Sequence, residues 1–308
     1  MISLTDRCTG ACAYCLIPAR ESVEMSLEEI KTIISDIAAM GCQRIGFWGG
    51  EPLLRDDVGE IIRHTRSKGI FVTIDTNGHL VPKRGEELAL ANHVNISLDG
   101  DREAHDSVRG EGTFALTMKG VQYCPDTGLP FWTITVLAAH NIGDIDWLLA
   151  SAKELGFLTT FQVLHHNDTI GKPDGLRPED KDLREAIGLL IARKKEGAPI
   201  ASSVKYLEHA LRWDDYRKNR VFLPKVSPPC VAGELYCNID TNGRLYPCSL
   251  FVDEMDSPNV LKAGFRQAFD DLKTPKCNSC LAGCFTEYNL LYSLDIATGL
   301  NWVRALGK

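Results

Sequence analysis

Three cysteines, Cys8, Cys12 and Cys15, share the eight-residue segment Cys8-Thr9-Gly10-Ala11-Cys12-Ala13-Tyr14-Cys15. Thiolates are soft ligands suited to iron–sulfur clusters, zinc or copper(I). Structural zinc takes four protein ligands, commonly as paired CxxC units, and no neighbouring histidine supplies a fourth here. A three-ligand loop leaves one coordination position open, and open positions are where metal chemistry takes place. Six more cysteines fall in two C-terminal groups: Cys230, Cys237 and Cys248, then Cys277, Cys280 and Cys284. Six thiols exceed what one tetrahedral zinc or one cubane needs, and fall short of two fully thiolate-ligated cubanes. Zinc remains the structural alternative at both places, completed from elsewhere in the chain at the first and as a knuckle at the second. Cys42 and Cys124 stand alone and read as small buried hydrophobes.

Composition narrows the class of protein. The 308 residues are 44% hydrophobic, enough for one large domain with a full core and a smaller appendage. Acidic residues outnumber basic ones by 41 to 34, a net charge of −7, and no basic stripe is present, so nucleic acid is not an expected partner. No stretch reaches the ~18 consecutive apolar residues of a membrane span. The opening Met1–Arg7 lacks the features of a signal peptide, so the expected compartment is the cytoplasm and the cysteines are not a disulfide framework.

The elements that must position these thiols alternate. Short β-branched or aromatic runs predict strands at Ile2–Thr5, Arg44–Trp48, Ile70–Asp75, His93–Leu98, Phe131–Leu137 and Phe157–Leu164. Amphipathic stretches predict helices at Ser26–Met40, Asp57–Lys68, Thr113–Cys124 and Asp144–Leu155. The first has Ser26 as N-cap, Glu29 three residues on and Gly41 as its stop. Six strand–helix units argue a parallel sheet with helices outside, better matched to an incomplete barrel than to a closed eight-fold one; a flat doubly wound sheet also fits the pattern. The rhythm then changes. A Gly-, Pro- and Asp-rich loop at Ile170–Pro178 precedes helices at Glu179–Lys195 and Ser203–Lys218. A hairpin of Leu235–Ile239 and Arg244–Tyr246 turns at Gly243, within a cysteine-rich module that starts near Ser227. The expected division is 1–200, a helical linker 201–229, and 230–308.

The triplet, directly after the first strand of such a pattern, resembles the signature of the radical S-adenosylmethionine (SAM) superfamily. That resemblance implies a partial (β/α)6 TIM barrel. It implies a [4Fe–4S] cluster on Cys8, Cys12 and Cys15, with SAM chelating the fourth iron through its amino and carboxylate groups. Reduction then splits SAM into methionine and a 5′-deoxyadenosyl radical, chemistry that belongs to the cofactor while the protein positions it. Tyr14 matches the family's aromatic near the adenine. Gly49-Gly50-Glu51-Pro52 ends the second strand and is similar to the family motif that receives the SAM amino group. Ser97-Leu98-Asp99-Gly100, with His105-Asp106 and Arg109-Gly110, resembles the pattern in which the serine and arginine hold ribose and carboxylate; Asn77 is a further candidate at a strand end.

The C-terminal spacing, with Gly243 five residues before Cys248, resembles the SPASM/twitch extension that carries auxiliary [4Fe–4S] clusters. The later block is shortened to C-x2-C-x3-C with no cysteine after Cys284. One auxiliary cluster is therefore expected, drawn from Cys230, Cys237, Cys248, Cys277, Cys280 and Cys284, with Cys230, Cys248 and Cys277 or Cys280 foremost. Ser249 stands where sulfatase-maturing relatives have a basic aspartate, which argues against oxidation of a peptide serine or cysteine to an aldehyde.

The leading expectation is radical modification of a peptide (a cross-link, thioether or oxidised side chain), with ferredoxin or flavodoxin as electron donor. The chain opens straight into its first strand, without the leader-binding domain that many peptide maturases carry. The alternative is a lipid, tetrapyrrole or other small metabolite, for which an apolar face on Tyr288–Leu306 at the cavity mouth would speak. A non-catalytic iron–sulfur or zinc module is the third reading. His165 and His166 end the last strand and carry no assignment.

Overall fold

Alternation of apolar and polar residues builds a parallel sheet with one face under helices and one face open. The computed structural model describes residues 1–165, 167, 170–171, 175–223, 228–273 and 277–307; His166, Ser227 and the middle of the 170–178 loop lie outside them. The first half runs β1 (Ile2–Ser3), α1 (Leu27–Ala39), β2 (Arg44–Trp48), α2 (Val58–Ser67), β3 (Phe71–Thr76) and α3 (Gly85–Leu88). It continues through β4 (His93–Ser97), α4 (Arg102–Arg109), α5 (Thr113–Thr127), β5 (Phe131–Leu137), α6 (Ile145–Leu155) and β6 (Leu158–Val163). Ile45, Phe47, Val72, Ile74, Val94 and Ile96 pack with the helical Ile30, Ile34, Ile61 and Val121 into one core. The alternate residues Trp48, Asp75, Asn95, Ser97, Ile134 and Gln162 are half-buried and line the concave face.

The strands stand in the order β6-β5-β4-β3-β2-β1, all parallel, and the sheet does not close. This is the partial barrel the sequence predicts. Beyond β1 the sheet is extended by a C-terminal hairpin, β8 (Asn238–Ile239) and β9 (Leu245–Tyr246), with Ile239 beside Ile2. Gly243, at φ +80, makes its turn. Between β6 and the hairpin come α7 (Asp180–Lys195), α8 (Val204–Leu211) and β7 (Arg220–Val221). The chain ends with α9 (Val260–Ala263), α10 (Phe265–Asp270), β10 (Ser279–Cys280), α11 (Gly283–Tyr292) and α12 (Ile296–Leu306). The Gly283 amide donates to Gln162 Oε1 at 2.8 Å, so α11 docks on the inner side of β6.

Differences from the sequence expectations have local causes. The helix at Ser203 ends at Leu211 rather than Lys218, because Trp213 and Asp215 turn the chain: the Trp213 indole donates to the carbonyls of Asp215 and Lys218. The Tyr288–Leu306 tail is two helices, broken where Leu294 takes φ +58. On α12, Ile296 and Val303 are 77% and 70% exposed, so its apolar face is uncovered. Its covered side packs on Trp132 and Leu158, at the starts of β5 and β6, away from the cysteine loop that follows β1. The apolar face therefore does not rim the mouth above Cys8. No helix among the described residues is long and apolar enough to cross a membrane.

Candidate active site

The loop from Cys8 to Cys15 leaves the C-terminal end of β1, where ligands bind in open α/β sheets. Its root is braced by the end of β2: Gly50 N–H donates to Thr5 O at 2.7 Å and Glu51 N–H to Arg7 O at 2.8 Å. The approach demands glycine. A Cβ on Gly49 would stand 2.4 Å from Thr5 O, and one on Gly50 would stand 2.3 Å from Arg7 O.

Within the loop, Gly10 faces a space between two sulfurs: a Cβ there would lie 3.7 Å from Cys12 Sγ and 3.9 Å from Cys8 Sγ. Three donors are aimed at the same sulfurs. Gly10 N–H reaches Cys8 Sγ at 3.4 Å, Asn77 Nδ2 reaches Cys8 Sγ at 3.7 Å, and Arg109 Nη1 reaches Cys12 Sγ at 3.8 Å. Burial pushes all three thiols up, Cys15 to about 11, so a cation between them would favour their ionised form. Donors aimed at sulfur around an open bowl suit an iron–sulfur cluster, whose ligand sulfurs stand further apart than those of a single ion. Among the described residues no three His, Cys, Asp or Glu side chains are gathered for a single metal ion.

Beside the loop lies a buried charge network. Asp99, at the end of β4 and 0% exposed, accepts from Arg109 Nε at 2.7 Å, Tyr14 OH at 2.8 Å and Val136 N–H at 2.8 Å. Burial opposes ionisation of Asp99, but the Arg109 guanidinium and these donors hold it below the usual carboxylate range. Arg109 also lies over the Tyr14 ring at 5.6 Å. It projects from α4, a helix that the sequence expectations missed. Its sequence signals were Asp101 as N-cap, accepting from Ala104 N–H, and Gly110 as the stop. Asp99 has no role of its own in the Ser97–Gly100 pattern; the structure pairs it with Arg109, ten residues on.

The remaining candidates divide. Asn77 sits under Cys8, donating also to Thr9 Oγ1 at 2.9 Å. Glu51 is 0% exposed: its carboxylate accepts from Thr76 Oγ1, Asn77 N–H and Leu53 N–H, which leaves it enclosed under the loop. Ser97 is half-buried on the concave face. His165 follows β6, and burial lowers it to about 4, so the ring is neutral.

The six C-terminal cysteines do not stay in their sequence groups. Cys248 has Cys280, Cys277 and Cys230 as neighbours, and Cys280 has Cys230, Cys284 and Cys277. Cys230, Cys248 and Cys280 pack together with Ala232, Leu250, Tyr236 and Phe285. Burial raises Cys277 to about 11 and Cys280 to about 12. Cys237 lies elsewhere, its carbonyl taking the Met1 ammonium at 2.8 Å and its thiol near Cys42. Cys284 is exposed, with Asp75 and Arg44 as its charged neighbours. Of the lone pair, Cys124 is fully buried as expected, whereas Cys42 is half-buried.

The profile of the Radical SAM superfamily matches residues 2–152. An AdoMet-dependent heme synthase of Nitratidesulfovibrio vulgaris is 30% identical over 85% of this chain and 76% of its own length. Mycofactocin maturase MftC of Mycolicibacterium smegmatis is 26% identical over 91% of this chain and 74% of its own length. Fe-coproporphyrin III synthase of Methanosarcina barkeri is 30% identical over 63% of this chain, which spans only about half (51%) of that relative. Among solved structures, anSMEcpe with bound AdoMet superposes with a TM-score of 0.68 over 87% of this chain and 79% of its own, at 17% identity, a likeness of fold. By these matches the chain belongs to the radical SAM superfamily, enzymes that work with a [4Fe–4S] cluster and SAM.

Proposed function

We propose that this chain is a peptide-modifying radical SAM enzyme. Cys8, Cys12 and Cys15 hold the SAM-binding cluster in this reading, and Cys230, Cys248, Cys277 and Cys280 hold one auxiliary cluster. The observation that carries it is the separation of the thiols into two sets, around a concave face lined by Asp75, Asn95, Ser97 and Gln162. The pairing with SAM supplies a carbon radical strong enough to take hydrogen from an unactivated carbon. Arg109 and Tyr14, fixed by Asp99, bound the SAM side of the loop, with Ser97 below. Asn77 steadies Cys8. Glu51 serves by holding Thr76 and Asn77, and Gly49 and Gly50 by letting the backbone approach. The domain division at 200 and 230 is part of the same reading, with the hairpin of the C-terminal module completing the sheet. A cytoplasmic ferredoxin or flavodoxin fits as the electron donor.

The maturase relative, aligned over 91% of this chain, favours a peptide. A tetrapyrrole is the second reading, favoured by the higher identity to the heme synthase. The two separate in one anaerobic assay. Reconstituted protein receives SAM and dithionite with either a short precursor peptide encoded beside the gene or iron-coproporphyrin III. Faster 5′-deoxyadenosine release and a mass change in the peptide support the first reading. The same response to the tetrapyrrole alone replaces it with the second. Intact SAM throughout removes both.

A further inference from the structure

Three carboxylates stand around the ends of β2, β3 and β4, and they are not equally satisfied. Asp99 accepts from Arg109, Tyr14 and Val136, and Glu51 from Thr76, Asn77 and Leu53. Asp75 has a single donor. One of its oxygens accepts from Asn95 Nδ2 at 2.7 Å, and the other takes no hydrogen bond among the described residues. Asp75 stands two residues before Asn77, whose side chain reaches Cys8 Sγ at 3.7 Å, so it lies one layer of side chains under the cysteine loop. The cations whose charge reaches it are Arg44 and the Met1 ammonium. Both are spent elsewhere, Arg44 on Tyr288 and Thr73 Oγ1, Met1 on the Cys237 carbonyl at 2.8 Å.

The same layer carries a second unspent group. The register pair Phe47–Ile74 sets Trp48 beside Asp75, and both are half-buried on the concave face. The Trp48 indole donates to Asn238 Oδ1 at 3.0 Å, and since an indole can only donate, this fixes which way the amide points. Asn238 is 0% exposed, and its Nδ2 has no partner among the described residues. In the strand order β3-β2-β1-β8, Asp75 and Asn238 flank the indole from opposite sides. An open acceptor and an unpaired buried donor across an aromatic ring mark a layer that lacks a polar ligand.

We propose that this layer receives an amide group of the substrate peptide, with its N–H on the open oxygen of Asp75 and its C=O turned toward Asn238. Asp75 is then the residue that selects the substrate. The assignment rests on the peptide reading above and narrows it. The propionates of a tetrapyrrole would meet the Asp75 charge at the same place, and a lipid chain would leave both polar groups unpaired.

The test compares two ligands on one variant. Asp75→Asn keeps the shape of the side chain and an oxygen for Asn95, but puts an NH2 group where the open acceptor stood. With SAM, dithionite and the precursor peptide encoded beside the gene, its KM for the peptide should rise about tenfold or more, the loss of one charge-assisted hydrogen bond. Its affinity for metal-free coproporphyrin III, followed by the porphyrin's fluorescence, should hold or rise, and its iron content should match the wild type. Asp75→Ser serves the same purpose if the asparagine variant folds poorly. An unchanged peptide KM would overturn the proposal, and so would equal weakening of both ligands, which is the mark of a structural role. A wild type that answers iron-coproporphyrin III and not the peptide removes the peptide reading itself, and this assignment with it.

Discussion

The single residue that ties most of the surroundings of the cysteine loop together is Arg109. Its Nε serves Asp99 while Nη1 reaches Cys12, and its face covers Tyr14. A lysine carries the charge but only one donor centre, so it cannot do both. Arg109→Lys should lower the rate of SAM cleavage about tenfold or more, roughly the loss of one charge-assisted hydrogen bond. Release of 5′-deoxyadenosine by iron-replete variant measures this, and an unchanged rate would refute it. Glu51 makes a prediction of a different kind. Burial raises its carboxyl from 4.5 to about 7, against the pull of the Asn77, Leu53 and Thr76 bonds. Between those two values the folded chain keeps a proton that the unfolded chain releases. Stability from this residue is therefore complete below pH 4.5 and lost as pH rises through 7, by at most about 3 kcal/mol. Urea midpoints at pH 5 and pH 8 should differ less in Glu51→Gln than in the wild type.

At the scale of elements, the sequence was most legible where periodicity and caps agree. Helix α1 begins at its Ser26–Glu29 capping box and stops before Gly41, and β2 and β5 have the predicted ends. Helix α4 escaped because eight mostly polar residues show no apolar stripe long enough to stand out from a loop. The extent of α8 was misread because the ring of Trp213, apolar in the pattern, turns in to bond the backbone instead. The Gly49–Gly50 pair shows what an element end does for a site. Its motif was visible in sequence, but its contact with residues 5–7 was not, since that depends on β1 lying beside β2. Gly50→Ala would press a methyl against the carbonyls of Arg7 and Asp6, which are backbone atoms and cannot swing aside. Displacing that segment displaces Cys8. The variant should fold yet lose the N-terminal cluster and keep the auxiliary one, so iron per chain should fall by about half. Full iron with normal SAM cleavage would show that the loop root tolerates the shift.

Across the whole molecule, the C-terminal thiols are gathered by tertiary structure rather than by spacing. Cys230 and Cys248 come from either side of the hairpin, and Cys277 and Cys280 from the segment before α11. Cys237 is carried away by β8 toward β1, because Asn238 and Ile239 must alternate into the extended sheet. That pairing joins residues 237 positions apart and leaves no mark in a local pattern, which is why six cysteines read as one pool. Arg20 binds the same two regions. Its guanidinium meets Asp6 at 3.3 Å, Asp253 at 3.0 Å and, more closely, Asp240, linking the segment after the cysteine loop to the hairpin. The arrangement discriminates between otherwise similar variants. Cys248→Ala removes a thiol from the packed group and should halve the bound iron, leaving the SAM-responsive cluster signal intact. Cys237→Ala removes one that faces Cys42 and the chain's amino end, and its iron should stay at the wild-type level. If both variants lose iron equally, the hairpin does not divide the thiols this way in the loaded protein, and the ligand set must be redrawn to include Cys237.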